Sequence, residues 1–209
     1  LDMDGVLIDT SDSYDTTVIA TVDKLCGKTI TLEQITDKRN QGGFNNDWVL
    51  TQALLADLGS SLDLQTVTDA FQELYLGNDQ NPGFVSNETP LIQASLETRI
   101  NRFNKPNWGI VTGRPLQEAK AGQKMVGLSE LPLISMDCAP PKPEPDGIQR
   151  LQKALGNRSW MCGDNPDDIE AAQRSGSVAI GIRASDQQAL YDAGADVVLK
   201  SINELENWL

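Results

Sequence analysis

The sequence predicts an α/β fold in which a parallel sheet is covered by helices on both faces and a helical segment follows the first strand. From Pro90 onward, short unbroken apolar runs alternate with helical stretches, which is typical of buried parallel strands joined by helices. Over residues 11–86, by contrast, apolar residues recur mainly at helical spacing. We therefore expect a core domain of residues 1–10 and 87–209 and an inserted helical domain of residues 11–86.

The inserted segment is expected to form three helices separated by loops. The first begins at Ser11 or Asp12, and all three end near a glycine, which accepts the left-handed backbone that commonly terminates a helix. The predicted helices cover residues 11–27, 48–59 and 67–77. Residues 37–47 are polar and contain glycine, so this stretch is expected to be a loop.

The core domain is expected to alternate strands with helices to the end of the chain. Strands are predicted at residues 108–111, 131–135, 160–162, 178–182 and 197–199, and helices at 116–126, 148–155, 166–174, 186–193 and 202–209. The first strand ends at Asp2, although a buried strand needs about 4–6 residues. We therefore expect a few further apolar residues upstream of Leu1.

Composition argues against several classes of function. The chain carries 17 Lys and Arg against 30 Asp and Glu, a net charge of −13, which disfavours binding to nucleic acid or to an anionic membrane. No apolar run approaches the roughly 18 residues of a membrane span. The absence of histidine excludes Ser-His-Asp and Cys-His hydrolases and His-ligated zinc sites. The three cysteines are far apart in sequence, so reduced thiols in a cytoplasmic protein are expected.

Polar residues follow the predicted strands at four places. Because the carboxyl ends of parallel strands meet at one edge of a sheet, where ligands bind, these residues are expected to converge. They are Asp2 and Asp4, Thr112 with Gly113 and Arg114, Lys142, and Asp164 with Asp168. Each alone also fits a structural role, since an aspartate after a strand often caps a turn or a helix. The combination favours a functional site.

The four aspartates give this edge of the sheet a surplus of negative charge. Lys142 offsets one charge and a divalent cation offsets two, and ligands that are all oxygen favour Mg²⁺ over zinc or copper. A carboxylate is already anionic at neutral pH, so it can attack phosphorus without a histidine base. Thr112 and Gly113 can bind phosphate oxygens through a hydroxyl and a backbone N–H.

Four segments resemble, in order and spacing, the motifs of the haloacid dehalogenase superfamily. They are DMDGVLIDT, TGR, KPEP and GDNPDDIEAAQRSG. The resemblance implies a Rossmann-like three-layer core with a helical cap after the first motif, within the phosphoglycolate-phosphatase-like branch. It also implies a Mg²⁺-dependent phosphatase, a phosphoric monoester hydrolase, that acts on a small phosphorylated metabolite.

The resemblance further assigns roles residue by residue. Asp2 would be the nucleophile that forms an aspartyl-phosphate, and Asp4 would protonate the leaving group and then activate water. Thr112 would bind the phosphoryl group, and Lys142 would hold the nucleophile and the phosphate. The implied metal ligands are Asp2, the backbone carbonyl of Asp4, Asp164 and Asp168.

Substrate specificity is expected to come from the cap. Its polar loop carries Arg39 and Asn45, which either grip the leaving group of the substrate or are simply solvated. Arg114 either binds substrate or pairs with a neighbouring carboxylate. Three alternatives to a monomeric phosphatase stay open: a phosphomutase that moves the phosphoryl group between two hydroxyls, a non-catalytic phospho-acceptor, and a homodimer.

Overall fold

Two segments that are distant in sequence fold together into an α/β unit. The computed structural model describes residues 1–102, 107–156 and 158–209. Leu1–Asp9 and Pro90–Leu209 form the α/β unit, and Thr10–Thr89 form a separate helical unit. The sequence placed these two boundaries after residues 10 and 86, close to the observed positions.

The elements of the chain are short. The strands are β1 (Ile8–Asp9), β2 (Thr89–Pro90), β3 (Ile110–Val111), β4 (Leu133–Ile134), β5 (Trp160–Gly163), β6 (Val178–Ile182) and β7 (Val197–Leu199). The α-helices are α1 (Thr16–Cys26), α2 (Leu32–Arg39), α3 (Asp47–Asp57), α4 (Leu64–Leu76), α5 (Ala94–Asn101), α6 (Leu116–Met125), α7 (Asp146–Leu155), α8 (Pro166–Ser175) and α9 (Gln188–Asp192). A π-helical turn (Ser11–Asp15) and two 3₁₀ helices (Phe84–Asn87 and Ile202–Trp208) complete the assignment.

Five strands of the α/β unit, β3 to β7, pair in parallel. β3 pairs with β4, and β5, β6 and β7 pair in that order. The first two residues lie between these two groups, because Val111 N–H donates to the Leu1 carbonyl (2.9 Å) and Asp2 N–H donates to the Cys162 carbonyl (2.8 Å). Asp2 therefore leaves the sheet beside the ends of β3 and β5, as the predicted α/β fold requires.

The sheet is buried on both faces. Consecutive residues of β3, Ile110 and Val111, belong to different hydrophobic clusters, and so do Met161 and Cys162 of β5. Successive side chains of a strand point to opposite faces, so each face of the sheet packs against its own apolar layer. This arrangement is the three-layer α/β core that the sequence predicts.

The helical unit has a hydrophobic core of its own. Its fully buried side chains include Val18, Val22, Leu50 and Phe71, contributed by α1, α3 and α4. Gly27 ends α1 in the left-handed conformation at φ 65°, which is the helix termination that the sequence predicts there. Across the described residues of both units, no helix has the length and apolar character that crossing a membrane requires.

The structure corrects several predicted elements. Helix α2 was not predicted, and it includes residues 37–39 of the expected loop. It begins with a capping box in which Thr31 accepts from Gln34 N–H and the Gln34 side chain accepts from Thr31 N–H. Helix α5 was also missed, the helix expected from residue 11 starts with a π-helical turn, and the last helix is 3₁₀ rather than α.

Candidate active site

Asp2, Lys142 and Asp168 form a buried ionic cluster at the carboxyl edge of the sheet. Lys142 Nζ lies 2.7 Å from Asp2 Oδ1 and is also ion-paired with Asp168 Oδ1. The three side chains are 4% exposed or less. Three separate segments supply them: the residues beside β5, the loop between β4 and α7, and the first turn of α8. The convergence predicted from the strand ends is therefore observed for these residues.

Burial sets the electrostatics of this cluster. Burial first, and then the charge of Asp168, raise the pKa of Asp2 to about 7, although Lys142 opposes this shift. Burial disfavours the ammonium of Lys142, but Asp168 and Asp2 outweigh it and raise the Lys142 pKa above its usual value. Lys142 therefore stays protonated, and it lies among carboxylates that are costly to ionise together.

A third carboxylate makes the cluster suitable for a metal ion. Oxygen atoms of Asp2, Asp164 and Asp168 all lie within 4.8 Å of one another. Three carboxylates without nitrogen or sulfur ligands match the preference of Mg²⁺ for oxygen. A divalent cation also offsets the negative charge that Lys142 leaves uncompensated, so the residues present fit this ion.

Two glycines make room for these acidic side chains. A Cβ atom on Gly5 would lie 2.2 Å from Asp164 Oδ2, and one on Gly163 would lie 2.1 Å from the Cβ of Asp168. Gly5 also has a φ of 67°, in the left-handed region that other residues rarely adopt. The role of these glycines was not predicted from the sequence, although each is adjacent to a motif aspartate.

Two further residues, whose role was not predicted from the sequence, contact the aspartates of this potential metal site. Asn165 donates from its side chain to Asp164 Oδ1 (2.9 Å) and from its backbone N–H to Asp168 Oδ2 (3.0 Å). Arg183, which directly follows β6, donates to the backbone carbonyl of Asp164 (2.6 Å). The position of Asn165 before a helix-starting proline was a capping signal in the sequence.

The second aspartate of the first motif has a different partner. Asp4 Oδ1 accepts hydrogen bonds from Arg114 Nε (2.8 Å) and Nη2 (2.5 Å). The Arg114 side chain is buried, and its backbone N–H donates to Thr112 Oγ1 across the turn that contains Gly113. Of the two roles left open for Arg114, the structure therefore shows pairing with a neighbouring carboxylate.

The predicted cap residues lie in the helical unit. Arg39 is ion-paired within that unit, through Nη1 with Asp15 Oδ1 and through Nη2 with Asp47 Oδ1, both at 2.6 Å. Burial opposes its charge, but Asp47 and Asp15 outweigh this and raise the pKa of Arg39 above its usual value. Asn45 is half-buried on the loop before α3. Substrate binding by these two residues stays a prediction.

One sequence relative matches most of this chain. The chain is 35% identical over 192 residues to an imidazoleglycerol-phosphate dehydratase from Phytophthora nicotianae, and this match covers 87% of the chain. It covers 42% of that relative, so the chain spans less than half of the relative's length.

Solved structures share the fold over nearly the whole chain. A candidate phosphoglycolate phosphatase from Lactobacillus delbrueckii subsp. bulgaricus has a TM-score of 0.75 and 19% identity, covering 99% of this chain and 95% of that one. A candidate beta-phosphoglucomutase from Thermotoga maritima has a TM-score of 0.65 and 18% identity, covering 99% and 95%. At these identities the likeness establishes the fold alone.

The family is established by a match to a model of the haloacid dehalogenase-like hydrolases over residues 1–176. The matched range contains all four motifs and every residue of the ionic cluster described above. The chain therefore belongs to the haloacid dehalogenase-like hydrolases.

Proposed function

We propose that this chain is a Mg²⁺-dependent phosphatase that hydrolyses a small phosphorylated metabolite through an aspartyl-phosphate on Asp2. One observation carries the proposal: Asp2 is buried against Lys142 and shares a potential metal site with Asp164 and Asp168. A buried carboxylate beside a cation and a metal site is suited to meet an anionic phosphate ester and to attack its phosphorus.

In the first step, a carboxylate oxygen of Asp2 attacks the phosphorus, and the bond from phosphorus to the ester oxygen breaks. The leaving oxygen takes a proton from the carboxyl group of Asp4. Lys142 holds Asp2 Oδ1 and adds positive charge beside the phosphoryl oxygens. Thr112 Oγ1 and the backbone N–H of Gly113 donate to the same oxygens as charge develops on them.

In the second step, water attacks the phosphorus of the aspartyl-phosphate. The Asp4 carboxylate accepts a proton from this water, and the bond from phosphorus to the Asp2 oxygen breaks. Inorganic phosphate leaves, and Asp2 and Asp4 return to their starting protonation states. One residue therefore serves as acid and then as base, as microscopic reversibility allows.

Asp2, Asp164 and Asp168 are the residues that would hold Mg²⁺. When bound, the ion supplies positive charge that neutralises phosphoryl oxygens and the surrounding carboxylates. It also favours the ionised form of Asp2, whose pKa is otherwise raised to about 7 by burial and by Asp168.

A phosphomutase is the second candidate, because the fold is shared with a protein described as a candidate beta-phosphoglucomutase. That reaction uses the same aspartyl-phosphate but passes the phosphoryl group to a second hydroxyl instead of water.

The name of the 35% identical relative refers to a small phosphate ester, imidazoleglycerol phosphate. This supports a small metabolite as the substrate of either reaction.

Phosphate release from a panel of metabolite monoesters with Mg²⁺ tests the proposal. We expect release to stop with EDTA and in D2N, while D192N, which changes an exposed aspartate of α9, keeps wild-type activity. Turnover that needs a sugar bisphosphate and releases little phosphate would favour the phosphomutase. Unchanged activity in D2N would reject Asp2 as the nucleophile.

A further inference from the structure

Arg114 contacts Asp4 through a single carboxylate oxygen. Its Nε and Nη2 both donate to the single oxygen Oδ1, at 2.8 and 2.5 Å, instead of to one carboxylate oxygen each. Two donors to one oxygen fix the position of that oxygen and leave the other oxygen of the carboxyl group without a contact to Arg114. The Asp4 side chain remains 30% exposed, so the group as a whole stays accessible.

The guanidinium of Arg114 is held on a rigid support. Its side chain is 2% exposed, its backbone N–H donates to Thr112 Oγ1, and its carbonyl accepts from Met136 N–H. Asp4 is anchored on the neighbouring segment that leaves the sheet between β3 and β5. A buried arginine fixed at both its backbone and its head group is suited to orient a partner and poorly suited to follow a moving one.

Two cations pair with carboxylates of the site. Lys142 pairs with Asp2 and Asp168, and Arg114 pairs with Asp4. The Nε–Nη2 edge of Arg114, one of the edges with which arginine binds phosphate in two-point fashion, is already engaged by Asp4. This contact argues against Arg114 as a primary substrate-binding group.

We propose that Arg114 is a positioning residue that orients the Asp4 carboxyl group for proton transfer to the leaving oxygen. The inference rests on the proposed function. Arg114 holds Oδ1, so that the other oxygen of Asp4 is presented to the ester oxygen. Arg114 therefore affects the rate by orienting Asp4, and the size of this effect depends on how much the leaving group needs a proton.

Leaving-group dependence separates this role from a structural one. R114Q and R114K are compared with wild type on an alkyl phosphate, glycerol phosphate, and on p-nitrophenyl phosphate, whose leaving group needs little protonation. We expect kcat/KM of R114Q to fall about 100-fold on the alkyl ester and less than about 10-fold on the aryl ester, with partial recovery in R114K. R99Q, which changes a half-buried arginine that contacts the Glu206 carbonyl, is the matched control.

A double-mutant cycle adds a second criterion. In the D4N background, R114Q is expected to change kcat/KM for the aryl ester by less than about 3-fold, because the orienting role has lost its target. Equal losses on both esters, or a full R114Q effect in the D4N background, would overturn the inference.

A crystal structure of R114Q gives a readout that does not depend on activity. Rotation of the Asp4 carboxyl away from its wild-type orientation supports the inference, and an unmoved Asp4 overturns it. Absence of phosphate release from wild type with every ester would instead count against the proposed function, and the orientation of Asp4 would still decide the role of Arg114.

Discussion

Each unit of this protein contains a cation held between two aspartates, and the two arrangements differ in burial. The core triad and the helical triad are, respectively, Lys142 with Asp2 and Asp168, and Arg39 with Asp15 and Asp47. The side chains of the core triad are 0–4% exposed, whereas those of the helical triad are 18–21% exposed. The side chains of the helical triad are therefore partly open to water, although Asp15 Oδ1 itself is buried, whereas the core triad is nearly excluded from water.

The two triads also differ in how their charge is balanced. In the helical triad each terminal nitrogen of Arg39 has its own carboxylate partner. In the core triad the single ammonium of Lys142 is shared, and Asp164 adds a third carboxylate within 4.8 Å of Asp2 and Asp168. A solvated ion cluster can stabilise a fold, whereas a buried cluster with surplus negative charge is relieved by a bound cation or by protonation of a carboxylate. The charge balance of the core triad therefore favours the binding of a cation.

Removing each cation in turn should change a different property, activity for Lys142 and stability for Arg39. The loss of activity is the largest effect that we expect. K142M is expected to lower kcat/KM about 10²–10³-fold, because it removes a charge beside the transferred group. R39M is expected to lower the free energy of unfolding by about 1–3 kcal/mol and to leave kcat near wild type. This range is lower than for a fully buried ion pair because the side chains of the helical triad are partly exposed. Phosphate release and urea unfolding measure the two effects. A raised KM in R39M with unchanged stability would instead support substrate binding by Arg39.

Two glycines with the same backbone conformation sharpen the comparison. Gly5 and Gly27 have φ of 67° and 65°, but a Cβ atom on Gly5 would meet Asp164 Oδ2 at 2.2 Å, whereas Gly27 has nothing within 4 Å. G5A and G27A should both carry a backbone cost of about 1 kcal/mol. Only G5A is expected to raise the Mg²⁺ concentration needed for half-maximal activity, by about 10–100-fold. Equal Mg²⁺ requirements in the two variants would mean that Gly5 does not protect the position of Asp164.

The core triad should also make stability depend on pH when metal is removed. Burial and the charge of Asp168 raise the pKa of Asp2 from 3.8 to about 7. Between these two pH values, the folded protein keeps a proton on Asp2 that the unfolded chain has lost. The contribution of Asp2 to the free energy of unfolding is therefore complete below about pH 4 and is lost as pH rises to about 7. In EDTA, the unfolding free energy of wild type should fall relative to that of D2N across this range. Saturating Mg²⁺ should reduce this dependence, and a parallel pH course for both proteins would contradict the shift.

The sequence predicts the core triad better than the helical triad for a physical reason. Asp2 and Asp168 follow a strand or begin a helix at the carboxyl edge of a parallel sheet, and Lys142 lies in the loop that follows β4 at the same edge. The topology of the sheet therefore brings the three residues near one another. Arg39 lies on no such edge, and its long side chain has acidic partners both upstream and downstream in the chain. The orientation of a flexible side chain depends on packing that no local pattern encodes. The same reason left the partner of Arg114 open until its contact with Asp4 was seen.

The smallest expected effect separates two helix caps that look alike in sequence. Thr31 caps α2 by exchanging hydrogen bonds with Gln34, whereas Asn165 precedes α8 and donates to both Asp164 and Asp168. T31A is expected to lower the free energy of unfolding by about 1 kcal/mol without changing activity. N165A should have a similar effect on stability and should also weaken Mg²⁺ activation several-fold, since it frees the side chain of Asp164, one of the proposed metal ligands. Urea unfolding measures the effect on stability, and Mg²⁺ titration of activity measures the effect on the site. Identical Mg²⁺ titration curves for the two variants would mean that Asn165 only caps the helix. A difference would show that a capping residue of the core also maintains the geometry of the site.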